Sequence, residues 1–468
     1  MKPQNETKLL ILSLLLPGSI VGIGLWSLTS NSRQLFNNLP TLKQEQSTSV
    51  LTPDRVSLGN KILVMADINP DKQAGVKAFE RGDFATAYYK FKTALKAHRN
   101  DPEALIYYNN AKVSKSNPLK IAVSVPIGGN LNVAKEILRG VAQAQDEVNR
   151  SGRIQLQVEI ANDENDPAIA QQLATEFVKD TSILAVVGHN ASDASIAAAP
   201  VYQQGGLVMI SPTSFSQNLS GIGSYVFRTV PTISFLADSL SSYIIKTARQ
   251  TNIAICADSK AIDNLSFKDE FVKAIETAGG KVTPTPCDLF APDFNPNAVI
   301  SQAIANGADS LLLAPHVDRI DRALEVARAN QGRLALFGSP TLYTFKTLQS
   351  GQANVNGMVL PVPWHPTAIP GNSFASNATQ LWGGAVNWRS ATAYDATQVI
   401  ITSLKRGNTH RDELQKALSS PEFSVNGATG TIQFLPSGDR NGAAILVKVQ
   451  PSNQSVTGYD FVILSPSN

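Results

Sequence analysis

The sequence predicts an α/β protein, two doubly wound parallel-sheet lobes preceded by a short α-helical region. From Pro118 onward, short apolar strand-like runs alternate with segments of helical periodicity. After about residue 232 the same alternation starts again, which makes two successive α/β sets. At 468 residues the chain is too long for one ordinary domain. Charged residues make up 16% and apolar residues 43%, so large cores form and wholesale disorder is excluded. The formal charge of +3 is small for this length, and the basic residues are dispersed among acids. A nucleic-acid partner is therefore not expected.

The elements follow in order. Leu9 to Leu28, "LLILSLLLPGSIVGIGLWSL", is uncharged and close to the roughly 20 residues that span a bilayer. Lys2 and Lys8 precede it, which orients the N-terminus to the cytoplasm. Residues 1–28 read as a retained single-pass anchor, with a cleaved signal as the alternative. The bulk of the chain then lies outside the cytoplasm, tethered to the membrane. Residues 29–70 read as a polar linker. In residues 71–116, Ala78, Gly82, Ala87, Phe91, Ala94 and Leu95 recur at helical spacing. Gly82-Asp83 makes a turn between two helices, and Asp101-Pro102 opens a third. The order of Gly82, Phe84, Ala87, Phe91, Ala94 and Pro102 resembles a tetratricopeptide repeat, with a plain helical spacer as the alternative. One such unit buries its own face poorly, so it is expected to pack on the next domain, a second copy or a partner. A chain lacking residues 1–116 is expected to fold alone.

From residue 117 to 468 the first set runs "LKIAVSV", a helix with Ile137, Val141, Ala144 and Val148 on one face, then "IQLQVEIAND". A helix opened by Asp166 and Pro167, the strand "ILAVVG", the helix "SIAAAPVYQQ" and the strand "LVMIS" complete it. The second set has helices at Phe235–Thr247, Phe267–Ala278, about Ala298–Ala305 and Ile320–Asn330. Its strands are "NIAICAD", "KVTPTPC", "SLLLAP" and "LALFGS". Cys256 and Cys287 form one bridge if the chain is exported and their strands are neighbours; otherwise they are two buried thiols.

Ligands of open parallel sheets bind beyond the carboxyl ends of the strands. Each such end here is a burst of small polar residues: "PIGGNLN", "NDENDP", "GHNASDAS" and "SPTSFSQ", then "DSKAIDN", "PHVDR" and "GSPTLY". Hydroxyl residues beside helix N-termini present backbone N–H groups and the positive end of the helix dipole, which suits a carboxylate. Helix capping accounts for one such residue per helix, and these clusters hold more.

The stretches "AVVGHNASDASIAAAPVYQQGGLVMISPTS", "TNIAICADS", "WRSATAYDATQVIITSL" and "NGATGTIQFLPSGDRNGAAILVKVQ" carry a resemblance that runs from Leu119 to about Leu464. In order and spacing they resemble a type I periplasmic binding protein of the branched-chain amino-acid and amide receptor family. The resemblance implies two hinged lobes, lobe 1 at about 119–232 and 364–425, and lobe 2 at about 233–363 and 426–466. It further implies that Ser192 holds a ligand carboxylate, and that Thr213 and Ser214 hold both ends of an α-amino acid. Phe215 stands where the family usually has Thr, and no acid stands near Thr341, where the ligand ammonium is usually held. Asp263, or Asp193 across the cleft, is the substitute ammonium partner. His316 and Thr341 complete the candidate ligand-binding set.

No catalytic constellation is present: the five histidines lack metal spacing, and neither a nucleophile elbow nor a phosphate loop occurs. The expected protein is not an enzyme, carries no cofactor and binds a small polar ligand, an amino acid or an amide-like solute, for an ABC permease. The alternative is a membrane-tethered protein-interaction or sensor module. The combination of helical repeat and binding fold also resembles envelope lipoproteins that activate peptidoglycan synthases.

Overall fold

The computed structural model describes residues 54–464, apart from 261 and 443. The expected anchor, Leu9 to Leu28, lies outside them. Among the described residues no helix is long and apolar enough to cross a membrane.

Three helices come first: α1 (Pro70–Glu80), α2 (Phe84–Ala97) and α3 (Pro102–Val113). Asn69, Asp83 and Asp101 cap them by accepting the amide protons of Lys72, Thr86 and Ala104. Pro70 and Pro102 each occupy a first-turn position, where a missing N–H costs nothing. The Lys72 ammonium is fully buried between Asp101 and Glu103, at 2.7 Å from each carboxylate. Glu103 also accepts the amides of Leu63 and Val64, so this ion cluster ties the helices to the segment before them.

Lobe 1 has a six-stranded sheet of β1 (Val56–Ser57), β2 (Leu119–Val125), β3 (Leu156–Asn162), β4 (Ile183–Val187), β5 (Val208–Ser211) and β6 (Val226–Arg228). Its order is β1-β3-β2-β4-β5-β6, parallel except for β1 against β3. The helices α4 (Leu131–Ser151), α5 (Pro167–Lys179) and α6 (Ser192–Gln204) connect the parallel strands. Residues 54–70 are thus not wholly the expected linker. Two of them extend the sheet, because the exposed edge of β3 offers unpaired backbone groups that Val56 and Ser57 satisfy.

The helical region is also part of lobe 1. Helix α3 packs on α4 and β3, and Phe91, Tyr107 and Ile137 share one core. Asn110 sits at that junction. It donates to the carbonyls of Leu58 (2.8 Å) and Val158 (2.7 Å) and accepts from Gln145 and the Val158 amide. This packing weighs against the expectation that the chain without residues 1–116 folds alone, since the truncation strips an apolar face and unpairs the Val158 amide. Of the three docking surfaces expected for the helices, the structure uses the neighbouring domain.

Lobe 2 follows with helices α7 (Ile233–Lys246), α8 (Ile262–Thr277), α9 (Pro296–Ala305), α10 (Ile320–Asn330) and α11 (Phe345–Gly351). Its strands are β7 (Asn252–Ala257), β8 (Lys281–Val282), β9 (Ser310–Ala314), β10 (Ala335–Gly338) and β11 (Val359–Val362). The chain returns to lobe 1 for α12 (Phe374–Trp382), α13 (Trp388–Lys405) and α14 (Arg411–Leu418). It then forms a hairpin of β12 (Val425–Gly427) and β13 (Gly430–Ile432), and ends in lobe 2 with β14 (Ile445–Pro451) and β15 (Tyr459–Ile463). The lobe 2 sheet has the order β15-β14-β11-β10-β9-β7-β8. The bridge between Cys256 on β7 and Cys287 settles the cysteine alternatives.

The lobe boundary expected at residue 426 lies later. Residues 428–440 stay with lobe 1, where Asp395 accepts the amides of Ala428 and Thr429, and Gly438 pairs with Arg228. Crossings at about 229–232, at about 363 and after Arg440 join the lobes. Arg440 binds the first of them through the Thr229 carbonyl at 3.1 Å.

Candidate functional site

In both lobes the parallel strands reverse their order at one point, between β2 and β4 in lobe 1 and between β7 and β9 in lobe 2. The loops that leave these strands diverge and open a crevice at their carboxyl ends. The two crevices face each other and enclose a cleft of about 220 Å³. That is below the roughly 300–1,000 Å³ of drug-sized pockets and suits a small solute.

Ser192, Asp193, Thr213, Phe215, Asp263, His316 and Thr341 all line this cleft. Ser192 opens α6, and its hydroxyl accepts the Ser216 amide at 3.1 Å. Thr213 donates its hydroxyl to the Asn190 carbonyl at 2.9 Å, which holds the loops after β4 and β5 together. Phe215 packs against Trp388 with ring centroids 5.5 Å apart. On the other lobe, Thr341 donates to Asn264, and His316 caps the turn after β9 through its ring nitrogen. Ser214 is not brought to the cleft. It is fully buried behind the lip, with its hydroxyl 2.5 Å from that of Ser195 and 2.8 Å from that of Ser211. His189 is a wall residue too, held by Asp163 at 2.7 Å and by Tyr202 at 3.1 Å.

Asp263 has the most unusual surroundings. It stands in the first turn of α8, yet its Oδ1 is shielded from solvent and has no hydrogen-bond partner. Exclusion of water pushes its carboxyl up to about 6, and the nearby charge of Asp193 adds to this. The Ser192 hydroxyl on the opposite lobe pulls the other way, as do the charges of His316 and Arg228. A cation delivered into this space restores the ionised carboxylate, so the pair Asp193 and Asp263 forms the acidic pole of the cleft.

Trp388 and Arg389 also line the cleft and were not singled out from the sequence. Both open α13, and the guanidinium of Arg389 stacks on the Trp388 ring at 4.4 Å. A cation in the first turn of a helix opposes the helix dipole. That mismatch in "NWRS" was the legible signal. Among the described residues no cluster of His, Cys, Asp and Glu suits a metal ion.

The profile of a family described as Periplasmic binding protein matches residues 118–454. The chain is 26% identical over 333 residues to the leucine-, isoleucine-, valine-, threonine-, and alanine-binding protein of Pseudomonas aeruginosa, covering 69% of this chain and 87% of that one. It is 24% identical to the leucine-specific-binding protein of Salmonella typhimurium, covering 65% and 82% of the two chains. Among solved structures it is similar to a leucine binding protein from Thermotoga maritima, with a TM-score of 0.63 at 19% identity, over 74% of this chain and 99% of that one. A solute binding protein from Rhodopseudomonas palustris, in complex with 3,4-dihydroxy benzoic acid, has a TM-score of 0.62 at 18% identity, over 74% and 96%.

Proposed function

The chain belongs to the periplasmic binding protein family, and on that premise we propose that it is the solute receptor of an ABC transporter, binding a small amino acid-like ligand between its lobes. The observation that carries this is the shielded, unpartnered Oδ1 of Asp263, opposite Ser192 across the cleft. Ser192 and Thr213 hold the ligand carboxylate beside the N-terminus of α6, with the backbone around Ser214 as further support. Asp263, assisted by Asp193, takes the ammonium. Thr341 and His316 shape the lobe 2 wall. A ligand that touches both lobes favours the closed arrangement by its differential affinity for it. The curated relatives named above bind leucine and other neutral amino acids, which supports the amino-acid class. The dihydroxybenzoate complex widens the range of acids that this fold accepts.

Delivery to a permease at the membrane, with the chain tethered through Leu9 to Leu28, completes the proposal. The helical region is a candidate partner surface, although α3 is committed to lobe 1. The protein-interaction alternative draws on Phe215 and on the missing acid near Thr341, and Asp263 answers the second of these.

The test is a melting screen of the chain against amino acids, small amides, urea and short peptides. A ligand at a hundred times its dissociation constant adds about 2.7 kcal/mol and raises the midpoint by several degrees. Ser192→Ala is expected to weaken binding about tenfold through loss of a charge-assisted hydrogen bond. No shift with any compound in the panel overturns the receptor reading.

A further inference from the structure

Arg389 is unexplained by the receptor reading above. Its Nε is shielded from solvent and has no hydrogen-bond partner, and among the described residues its guanidinium enters no salt bridge. Burial lowers it to about 10, with the charge of Glu136 acting in the opposite direction. Yet Glu136 is committed elsewhere: to Arg139 at 2.5 Å, and to the Asn387 amide and the Ser390 hydroxyl through its other oxygen. What remains for Arg389 is the face of Trp388 and the cleft itself. A half-buried guanidinium whose shielded Nε has no partner and which has no anion beside it is costly, and such mismatches cluster at ligand sites.

The cleft therefore has two poles: the acids Asp193 and Asp263, and the cation Arg389. Phe215 and Trp388 provide an apolar wall beside the basic pole. Resting on the receptor reading, we propose that the ligand's side chain ends in a carboxylate that pairs with Arg389, so that the solute is an acidic amino acid and not a branched-chain one. The methylene groups of such a ligand lie along the two rings, its α-carboxylate meets Ser192 and Thr213, and its ammonium meets Asp263. A leucine side chain in the same place would cover the guanidinium further and give it no counter-charge. An uncharged amide would offer it only a neutral acceptor.

Titration calorimetry of the full chain with L-glutamate, L-aspartate, L-glutamine and L-leucine tests this. Glutamate or aspartate is expected to bind at least tenfold more tightly than glutamine and leucine. In Arg389→Met the affinity for the acidic ligand is expected to fall about 100-fold, while leucine binding stays level or improves; Arg389→Lys retains part of the preference. Leucine or glutamine binding as tightly as the acids overturns the assignment of Arg389 and leaves the receptor reading intact. Binding of none of the four overturns the acidic-ligand assignment, and the melting panel then decides the receptor reading. The ranking on the unaltered chain decides the matter even if a variant fails to fold.

Discussion

Protonation of Asp263 should set the pH dependence of ligand binding. In the ligand-free protein its carboxyl is raised from 3.8 to about 6 by exclusion of water. A ligand ammonium at hydrogen-bond distance stabilises only the ionised form, so binding returns the group towards its ordinary value and releases a proton. The full return of about 2.2 units corresponds to about 3 kcal/mol, at 1.36 kcal/mol per unit. Affinity is therefore level above pH 7 and falls through pH 6. With the complex at the ordinary value, the linkage relation gives about a tenfold loss between pH 7 and pH 5. Titration calorimetry in two buffers of different ionisation enthalpy reads both the affinity and the proton count. Asp263→Asn removes the titration, so its affinity is low and nearly constant over the same range. A wild-type affinity that does not change between pH 7 and pH 5, with no proton released at pH 6, refutes Asp263 as the ammonium partner.

Three further predictions concern the scaffold. Asn110→Ala leaves the Leu58 carbonyl and the Val158 amide without their side-chain partner at the junction of α3 and β3, and is expected to cost about 2–3 kcal/mol in denaturant unfolding, with ligand affinity unchanged. Opening the bridge between Cys256 and Cys287, which spans 31 residues, removes about 3.7 kcal/mol in the chain-entropy account, so a reductant should lower the melting midpoint by several degrees. An equal midpoint with and without reductant counts against a stabilising bridge. Helices α4 and α13 approach so closely at Gly140 that a Cβ would meet the Ser390 carbonyl oxygen and lie 2.6 Å from the Tyr394 amide nitrogen. Gly140→Ala is expected to destabilise lobe 1 by about 1–3 kcal/mol, and a neutral result would mean that the helices slide apart freely.

Much of the lobe architecture was legible because its signals are local. Asp101-Pro102, Asp166-Pro167 and the apolar face of Ile137, Val141, Ala144 and Val148 each report on one element and its neighbour in the chain. Helix α10 appears at Ile320–Asn330, as the periodicity predicts. The strand expected along "KVTPTPC" is reduced to Lys281–Val282, because the prolines that follow cannot donate to a ladder. The site was legible in outline for the same reason, since polar bursts after apolar strands mark the carboxyl edge of a parallel sheet.

The sequence by itself determined the alternation of strands and helices, the capped helix starts and the hydroxyl-rich lip. All of these depend on neighbours within a few positions. Only the tertiary structure decided which members of that lip face the cleft, turning Ser192 and Thr213 into it and Ser214 away. It also decided that Val56 and Ser57 complete a sheet, that α3 is welded to lobe 1 and that residues 428–440 remain there. Asp263 and Arg389 make the same point: a charge becomes informative when its surroundings shield one of its atoms from water and leave that atom without a partner, and those surroundings come from segments far apart in the chain.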